Sequence, residues 1–506
     1  MSGTKKMNRR QFMGLTGSAL AITVIPRHVM GGPGYVAPSD KITLGLVGCG
    51  TQQLRLLPGL ITNPNIRIVS VCDPVTHASG YIDWSPTGIR DKIRSLINDP
   101  DWGDTIKGIP GGRDIGKEVV DKYYKLQNPS GRIKGVTAYA DFREMLEKEK
   151  DMSTVKILTP DHQHAFQAVT AMKKGKHVVM HKPIANVIYE LRKTLETAGN
   201  TGKVTHLLAW SSGGTFNQIR GWVDAGAIGT LKEVHLWSNR PVWPQWPAYP
   251  TDTPPVPEGF DWDLWLGPVP HRPYHPNITH AVFRGWYEFG SGAVTDMGIY
   301  ALSPFFSAFG IDAIPVSIEA MGAQTCFTDE NSRFQIQPNN VSFPLACKFR
   351  WKFPEKGTSP PFELFWHDGG MKPDNPPELE ADNLELENQG MLIIGDKGKI
   401  LTSGFNGGNP RLIPEKRMME FTGAAKAPAV PAEDANKAWI DAILKGEQSP
   451  GSFQKQHACS ETAVLAAVAL RAGKKIIYDP EAMKITNIPE ANKYLYRTEY
   501  RKGWEI

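Results

Sequence analysis

Hydrophobic and polar positions fall into two textures along this chain, and the change comes just after Pro183. Ahead of it, short apolar runs alternate with amphipathic stretches. Residues 42–47 alternate and then run apolar, the pattern of a strand buried on both faces. Residues 66–72 repeat the pattern and end on Asp73, and 155–159 and 177–180 predict two more strands. Helices are predicted between them, one opened by Asp141 as N-cap and one over 164–174. Strands alternating with helices predict a doubly wound parallel sheet. A polar, Gly/Pro-containing stretch over about 79–136 interrupts this rhythm and reads as an insertion with helical pieces, residues 115–126 among them.

Beyond Pro183 a helix (187–198) and a strand near Val204 lead into alternating runs at 231–237, 316–321, 346–353, 390–394 and 399–402. These predict one large, mostly antiparallel open sheet. Helical patterns return at 435–444 and 460–473, with Gly473 as a C-cap. The expected fold class is α/β. A nucleotide-type domain spans 38–185 and a second α/β domain 186–432, the latter ending in an Ala/Pro-rich linker from Thr422 to Ala432. Helices and a tail over 433–506 are expected to pack back on the first domain.

Composition changes the picture at one point, the head of the chain. The net charge of +5 over 506 residues equals the contribution of Lys5, Lys6, Arg9, Arg10 and Arg27, with no acid among residues 1–37. The rest is balanced, which argues against a nucleic-acid partner. Arg9-Arg10-Gln11-Phe12, followed by an apolar run over 13–25 too short to span a bilayer, reads as a twin-arginine export signal with a loose linker to residue 37. A periplasmic or otherwise exported protein is expected, without a membrane anchor. Such proteins leave the cytoplasm folded, so a cofactor travels with them and has to be regenerated in place. The five cysteines are scattered, with no CxxC pair, and read as reduced core residues.

The chemistry starts at Gly45-Leu-Val-Gly48-Cys-Gly50-Thr51-Gln52, where glycines between a strand and a helix let backbone approach a pyrophosphate. Asp73 stands roughly twenty residues on, where an acid bonds a ribose hydroxyl, and its charge favours NAD over NADP. The third glycine of this fingerprint is replaced by Gln53. His162 and His164 have ligand-like spacing but no third ligand nearby, so they read as cofactor-side residues and no metal is expected. Tryptophans crowd between Trp237 and Trp286. Arg240, Trp243, Arg284 and Trp286 offer guanidinium forks and indole faces suited to sugars, with burial under the sheet as the alternative for each indole. Residues 366–370, Trp-His-Asp-Gly-Gly, are a further candidate for the same cleft.

Thr159-Pro160-Asp161-His162-Gln163-His164, Gly175-Lys-His-Val178 and His181-Lys182-Pro183 together resemble the Gfo/Idh/MocA oxidoreductases. Trp262-Asp-Leu-Trp-Leu-Gly-Pro268, Gly292-Ala-Val-Thr-Asp-Met-Gly-Ile-Tyr300 and the closing Tyr500-Arg-Lys-Gly-Trp504 fit as well. The resemblance implies an N-terminal Rossmann domain, a homo-oligomer assembled through the C-terminal sheet, and a carbohydrate or glycoside substrate. It implies that Thr159, Pro160, His162, His164, His181 and Lys182 meet the NAD. In the E-K-P turn of the family the lysine lies beside the nicotinamide, which is Lys182 here, while His181 replaces the glutamate. Asp296-Met-Gly-Ile-Tyr300 resembles the G-I-Y form of glucose–fructose oxidoreductase, in which the tyrosine is the acid/base. The catalytic set so implied is Lys182, Tyr300 and Asp296. Lys182 and Tyr300 are expected to act as one unit in oxidising a sugar or polyol CH–OH, with Asp296 holding the substrate. Two other readings fit the same residues: redox-neutral NAD-dependent glycoside hydrolysis, and a non-catalytic sugar-binding protein.

Overall fold

The structure, a computed structural model, describes residues 40–506 apart from 84, 86, 130–133, 212, 213, 405 and 422–433. The twin-arginine segment and the Ala/Pro-rich linker lie outside the described residues. Six strands form a parallel sheet: β1 Ile42–Val47, β2 Ile66–Cys72, β5 Thr137–Tyr139, β6 Thr154–Ile157, β7 His177–Met180 and β8 Thr205–Leu207. Their order is β5-β2-β1-β6-β7-β8, so the order reverses between β1 and β6. That is where an open α/β sheet takes its ligand, beyond the carboxyl ends of the strands. Helices α1 Thr51–Ile61, α2 Gly88–Ile97 and α3 Arg113–Gln127 cover one face, and α4 Phe142–Lys148, α5 Asp161–Lys173 and α6 Ile188–Thr201 run along the chain after them.

The stretch over 79–136 is part of this core. Ile89, Ile93 and Ile97 recur at four-residue spacing on α2, and all three are buried with Leu54, Leu57 and Val119 of α1 and α3. A hairpin of β3 Ala78–Tyr81 and β4 Ile109–Gly111 rises from it toward the cleft. Trp439 and Ile440, from the helix Ala435–Lys445, enter the same core and pack the late helix onto the first domain.

The second domain is a nine-stranded sheet. Its strands are β9 Leu231–Trp237, β10 Ser317–Gly322, β13 Cys347–Phe353, β14 Phe362–His367, β15 Gly390–Gly395, β16 Lys399–Ser403, β17 Gly408–Ile413, β18 Ile476–Asp479 and β19 Lys484–Ile485. They lie in the order β17-β16-β15-β9-β14-β13-β10-β18-β19, antiparallel throughout except for β9 beside β14. A separate hairpin pairs β11 Cys326–Thr328 with β12 Phe334–Ile336. The alternation that marked β13 is visible as burial: Cys347, Phe349, Trp351 and Phe353 point inward while Lys348, Arg350 and Lys352 do not. The inward residues join one hydrophobic core with Val155, Ile157 and Phe166 of the first domain. The two domains therefore share a core rather than a linker, which fixes the cleft between them. Cys49, Cys72, Cys347 and Cys459 are buried and unpaired; Cys326 is unpaired and exposed.

Candidate active site

A cleft of about 1020 Å³, its open mouth included, runs over the carboxyl ends of β1, β2 and β6 to the turn after β7. Gly48, Gly50, Thr51, Gln52, Asp73, Thr159, Pro160, His181, Lys182 and Arg284, all expected at the site, line it. Gly48 has φ +87, and a Cβ there would stand 2.5 Å from the Leu158 carbonyl oxygen. Only glycine holds that turn without strain. Gly50 caps α1, whose first turn carries no acidic side chain, so its amide dipoles face the cleft unopposed. Asp73 accepts from the amides of Cys49 (2.7 Å) and Val75 (2.9 Å) through different carboxylate oxygens. Burial pushes its carboxyl up to about 6, against those two amides. A glycine cradle, an open helix terminus and an acid in the wall fit a dinucleotide with free ribose hydroxyls.

At the far end lies a compact polar cluster. Lys182 is hydrogen-bonded and ion-paired to Asp296 Oδ1, and Arg284 Nε reaches the same oxygen at 3.0 Å. The Lys182 and Asp296 side chains are 4% and 11% exposed. Burial alone would raise Asp296, but the Lys182 and Arg284 cations outweigh it, with Arg240 adding, and hold the carboxyl well below the usual range. Burial draws the Lys182 ammonium below its ordinary value, against the pull of Asp296. Asp296 sits in a π-helical turn, Val294–Gly298, that passes into the α-helix Ile299–Phe309. Such turns re-aim side chains at functional sites.

Tyr300 corrects one expectation. Its hydroxyl meets His181 Nε2 at 2.8 Å, while Lys182 Nζ stands 5.3 Å from the centroid of the phenol ring. The lysine is thus paired with Asp296, and the phenol with the histidine that replaces the glutamate. Burial and the Asp296 charge push the Tyr300 hydroxyl up, with Arg284 and Arg55 opposing. Burial, with Lys182, His164 and Arg284, takes His181 well below the ordinary histidine value.

His162 and His164 are also corrected: neither lines the cleft. His162 places Nε2 at 2.8 Å from the Trp265 carbonyl and Nδ1 at 3.3 Å from that of Phe289. His164 sits between the carbonyls of Thr159 (2.8 Å) and Pro183 (2.6 Å). They tie the exit of β6 to the His181–Pro183 turn and to the second domain, and burial takes His162 down to about 3. The two tryptophans fall to the alternative. Trp286 is 1% exposed, stacked on Tyr249 and Trp246, and Trp243 is buried with its indole N–H on Gln245. Trp366 lies beneath Gly298, and Asp368 accepts from the Trp366 indole and the Cys347 amide, so residues 366–368 are interior while Gly369 and Gly370 are exposed.

Sequence reasoning missed the roof. Tyr81 of β3 meets the His280 ring edge-on at 4.3 Å, and both line the cleft with Phe260, Trp265 and Phe283. The amide of Thr76 bonds the Gly259 carbonyl at 2.8 Å, so a strap of the second domain lies over the end of β2. Asp161, the first residue of α5, is buried in the cleft wall. No signal marks Tyr81 or His280 in the sequence, because each gains its place from the other.

Two family models match adjacent parts of the chain. Residues 125–208 match the oxidoreductase family's NAD-binding Rossmann fold, and 218–335 its C-terminal alpha/beta domain. Both matched domains are those of the Gfo/Idh/MocA oxidoreductase family. NAD is therefore the cofactor whose chemistry the Gly48–Asp73 cleft serves. The levoglucosan dehydrogenase of Pseudarthrobacter phenanthrenivorans is 30% identical over 94 residues, 18% of this chain and 24% of that protein. An uncharacterized oxidoreductase of Rhizobium meliloti is 26% identical over 98 residues, 19% of this chain and 29% of that protein. The matched stretch thus spans under a third of either relative. The WlbA dehydrogenase of Chromobacterium violaceum, solved with NADH and UDP-GlcNAcA, shares the fold at a TM-score of 0.50 and 14% identity, over 88% of this chain and 98% of that one.

Proposed function

We propose that this protein moves a hydride between NAD and the CH–OH group of a carbohydrate or polyol. One observation carries the reading: the buried Lys182–Asp296–Arg284 cluster stands at the far end of the cleft whose near end fits the dinucleotide. Bound NAD supplies a hydride acceptor and donor. The chain supplies the rest. Lys182 donates a hydrogen bond to the reacting oxygen and steadies the negative charge that grows there. Asp296 keeps that ammonium charged and oriented, and its carboxylate accepts from a neighbouring hydroxyl. Arg284 fixes the carboxylate from the other side. Families of sugar dehydrogenases are represented among the relatives by levoglucosan dehydrogenase, which supports a carbohydrate as substrate.

The Tyr81–His280 contact and the 259–265 strap support a cofactor that leaves slowly. We propose further that the protein is exported by the twin-arginine route with NAD already bound. Changing Arg9 and Arg10 to Lys should leave folded precursor in the cytoplasm; unchanged export of that variant would sink this part.

The test of the reaction uses the purified full-length mature protein with no added cofactor. Its NAD content is measured after dialysis, and it is incubated with levoglucosan, D-glucose, polyols and aryl glycosides. Mass spectrometry should find a keto-sugar two mass units lighter, stoichiometric with NADH formed. Aglycone release with NAD unchanged would replace net oxidation by the redox-neutral hydrolysis. Retained NAD with neither product would leave a sugar-binding protein.

A further inference from the structure

The His181–Tyr300 contact is a polar pairing beside the Lys182–Asp296–Arg284 cluster that the cluster does not use. A phenol buried near Asp296 is a poor base alone: Lys182 stands over its ring face, and the Arg284 and Arg55 charges do not offset burial and Asp296. A neutral imidazole is different. One ring nitrogen carries the hydrogen and the other accepts, and Nε2 stands 2.8 Å from the Tyr300 oxygen. The groups that act on the pair are Lys182, His164, Arg284, Asp296 and Arg55. Burial, then Lys182, His164 and Arg284, disfavours an imidazolium, so His181 rests neutral with a lone pair to offer and holds a proton only in passing. His181 also lines the cleft.

We propose that His181 and Tyr300 form a proton-relay dyad, in which Tyr300 takes the substrate hydroxyl proton as it passes its own to His181 Nε2. The proposal rests on the oxidoreductase reading above. In the oxidation direction the substrate O–H bond breaks and a Tyr300 O–H bond forms. The original Tyr300 O–H bond breaks and an Nε2–H bond forms, leaving an imidazolium. Bound NAD would serve as the oxidant by accepting the C–H electron pair as hydride, and the carbon–oxygen bond would become double. Alcohol and NAD give ketone, NADH and one proton, which rests on His181 until it reaches solvent through the cleft. Tyr300 never stands as a free phenolate, so its raised value is no obstacle.

Two measurements test this. The first needs no turnover: long-range proton–nitrogen NMR of the NAD-loaded protein, with His181→Gln identifying the resonance. His181 should carry its hydrogen on Nδ1, with Nε2 as an acceptor whose shift moves in Tyr300→Phe. An Nε2–H tautomer donating to Tyr300 would overturn the dyad. The second is the pH profile of turnover on the panel sugar oxidised fastest. Wild type should be flat through neutral pH. At pH 7 His181→Gln should lose about 100-fold or more, the lower range of general acid–base catalysis, and regain about tenfold per pH unit as the phenol itself is forced to ionise. His181→Glu should restore most of the loss. A parallel, pH-independent drop in His181→Gln would make His181 a packing residue and overturn the proposal. A panel with no oxidised sugar removes the oxidoreductase reading instead, and leaves the tautomer result standing as the separate test of the contact.

Discussion

Asp296→Asn should destabilise the folded protein by about 3–5 kcal/mol, the usual cost of breaking a buried ion pair from one side. Asp296 is ion-paired with both Lys182 and Arg284 through one oxygen, and Asp161 adds a weaker negative charge near the two. The amide keeps the shape and removes the charge, so two cations are left facing each other at the inner end of the cleft. Lys182→Met has the opposite character. Asp296 keeps Arg284, and the apolar side chain spares the cost of burying an ammonium, so the expected loss is smaller. The double variant Lys182→Met/Asp296→Asn should be more stable than Asp296→Asn alone, since neighbours in one network are not additive. Urea unfolding of the NAD-loaded protein measures all three. Turnover should separate from stability: Lys182→Met loses a donor to the reacting oxygen and should fall about 100- to 1,000-fold. Bound NAD should be retained in both single variants. Equal stability of Asp296→Asn and wild type would mean that the cluster is hydrated and that its charges are screened.

How much of this was legible in the sequence depends on the range of the interaction. The parallel sheet announced itself because helices on both faces force β1 and β2 to be apolar, and the Gly48 turn because only glycine reaches φ +87 beside the Leu158 carbonyl. Asp73 was readable because it stands at the end of β2, whose position the periodicity fixes, while Thr159 and Lys182 were readable through the family resemblance. Partners were not readable. Lys182 and Asp296 are 114 residues apart, and His181 and Tyr300 119, so sequence could place all four at one site without pairing them. The pairing assumed for Lys182 and Tyr300 rested on resemblance, and the structure divides it because a carboxylate competes better than a phenol for a buried ammonium. His162 and His164 misled because the motif places them at the exit of β6 but does not show that their rings turn to backbone carbonyls. Trp243 and Trp286 misled for a general reason. An indole that suits a sugar also suits a core, and the burial of Trp286 against Tyr249 and Trp246 could not be seen in a loop rich in proline.

The second large effect is expected far from the chemistry, at the tail. Arg497 bonds Glu190 through two contacts (2.6 and 3.1 Å), Asn186 Oδ1 at 3.1 Å and the Glu288 carbonyl at 3.3 Å, and Tyr500 adds a bond to Glu190 at 3.0 Å. The Arg497 and Glu190 side chains are 5% and 1% exposed. Glu190 belongs to α6, Asn186 follows the Lys182–Pro183 turn, and Glu288 precedes the turn that carries Asp296. Asn186 completes the clamp by donating to the carbonyls of Glu288 (3.2 Å) and Tyr287 (3.4 Å). One guanidinium therefore joins the chain that bears Lys182 to the chain that bears Asp296. Arg497→Met should cost about 3–5 kcal/mol, because it strands the Glu190 carboxylate in the interior. Arg497→Met/Glu190→Gln should recover part of that loss. The kinetic consequence follows from the geometry. With the clamp open, the turn after Lys182 is no longer held against the segment before Asp296, and a misplacement of about 1 Å at reacting groups costs on the order of 100-fold. Turnover should fall by that order in Arg497→Met, while NAD content stays near wild type, since Gly48, Asp73 and α1 do not touch the clamp. Urea unfolding and turnover of the NAD-loaded variant decide the matter. A variant as stable and active as wild type would show that the tail is held by its apolar contacts alone, chiefly Trp504 against Phe142 and Phe166.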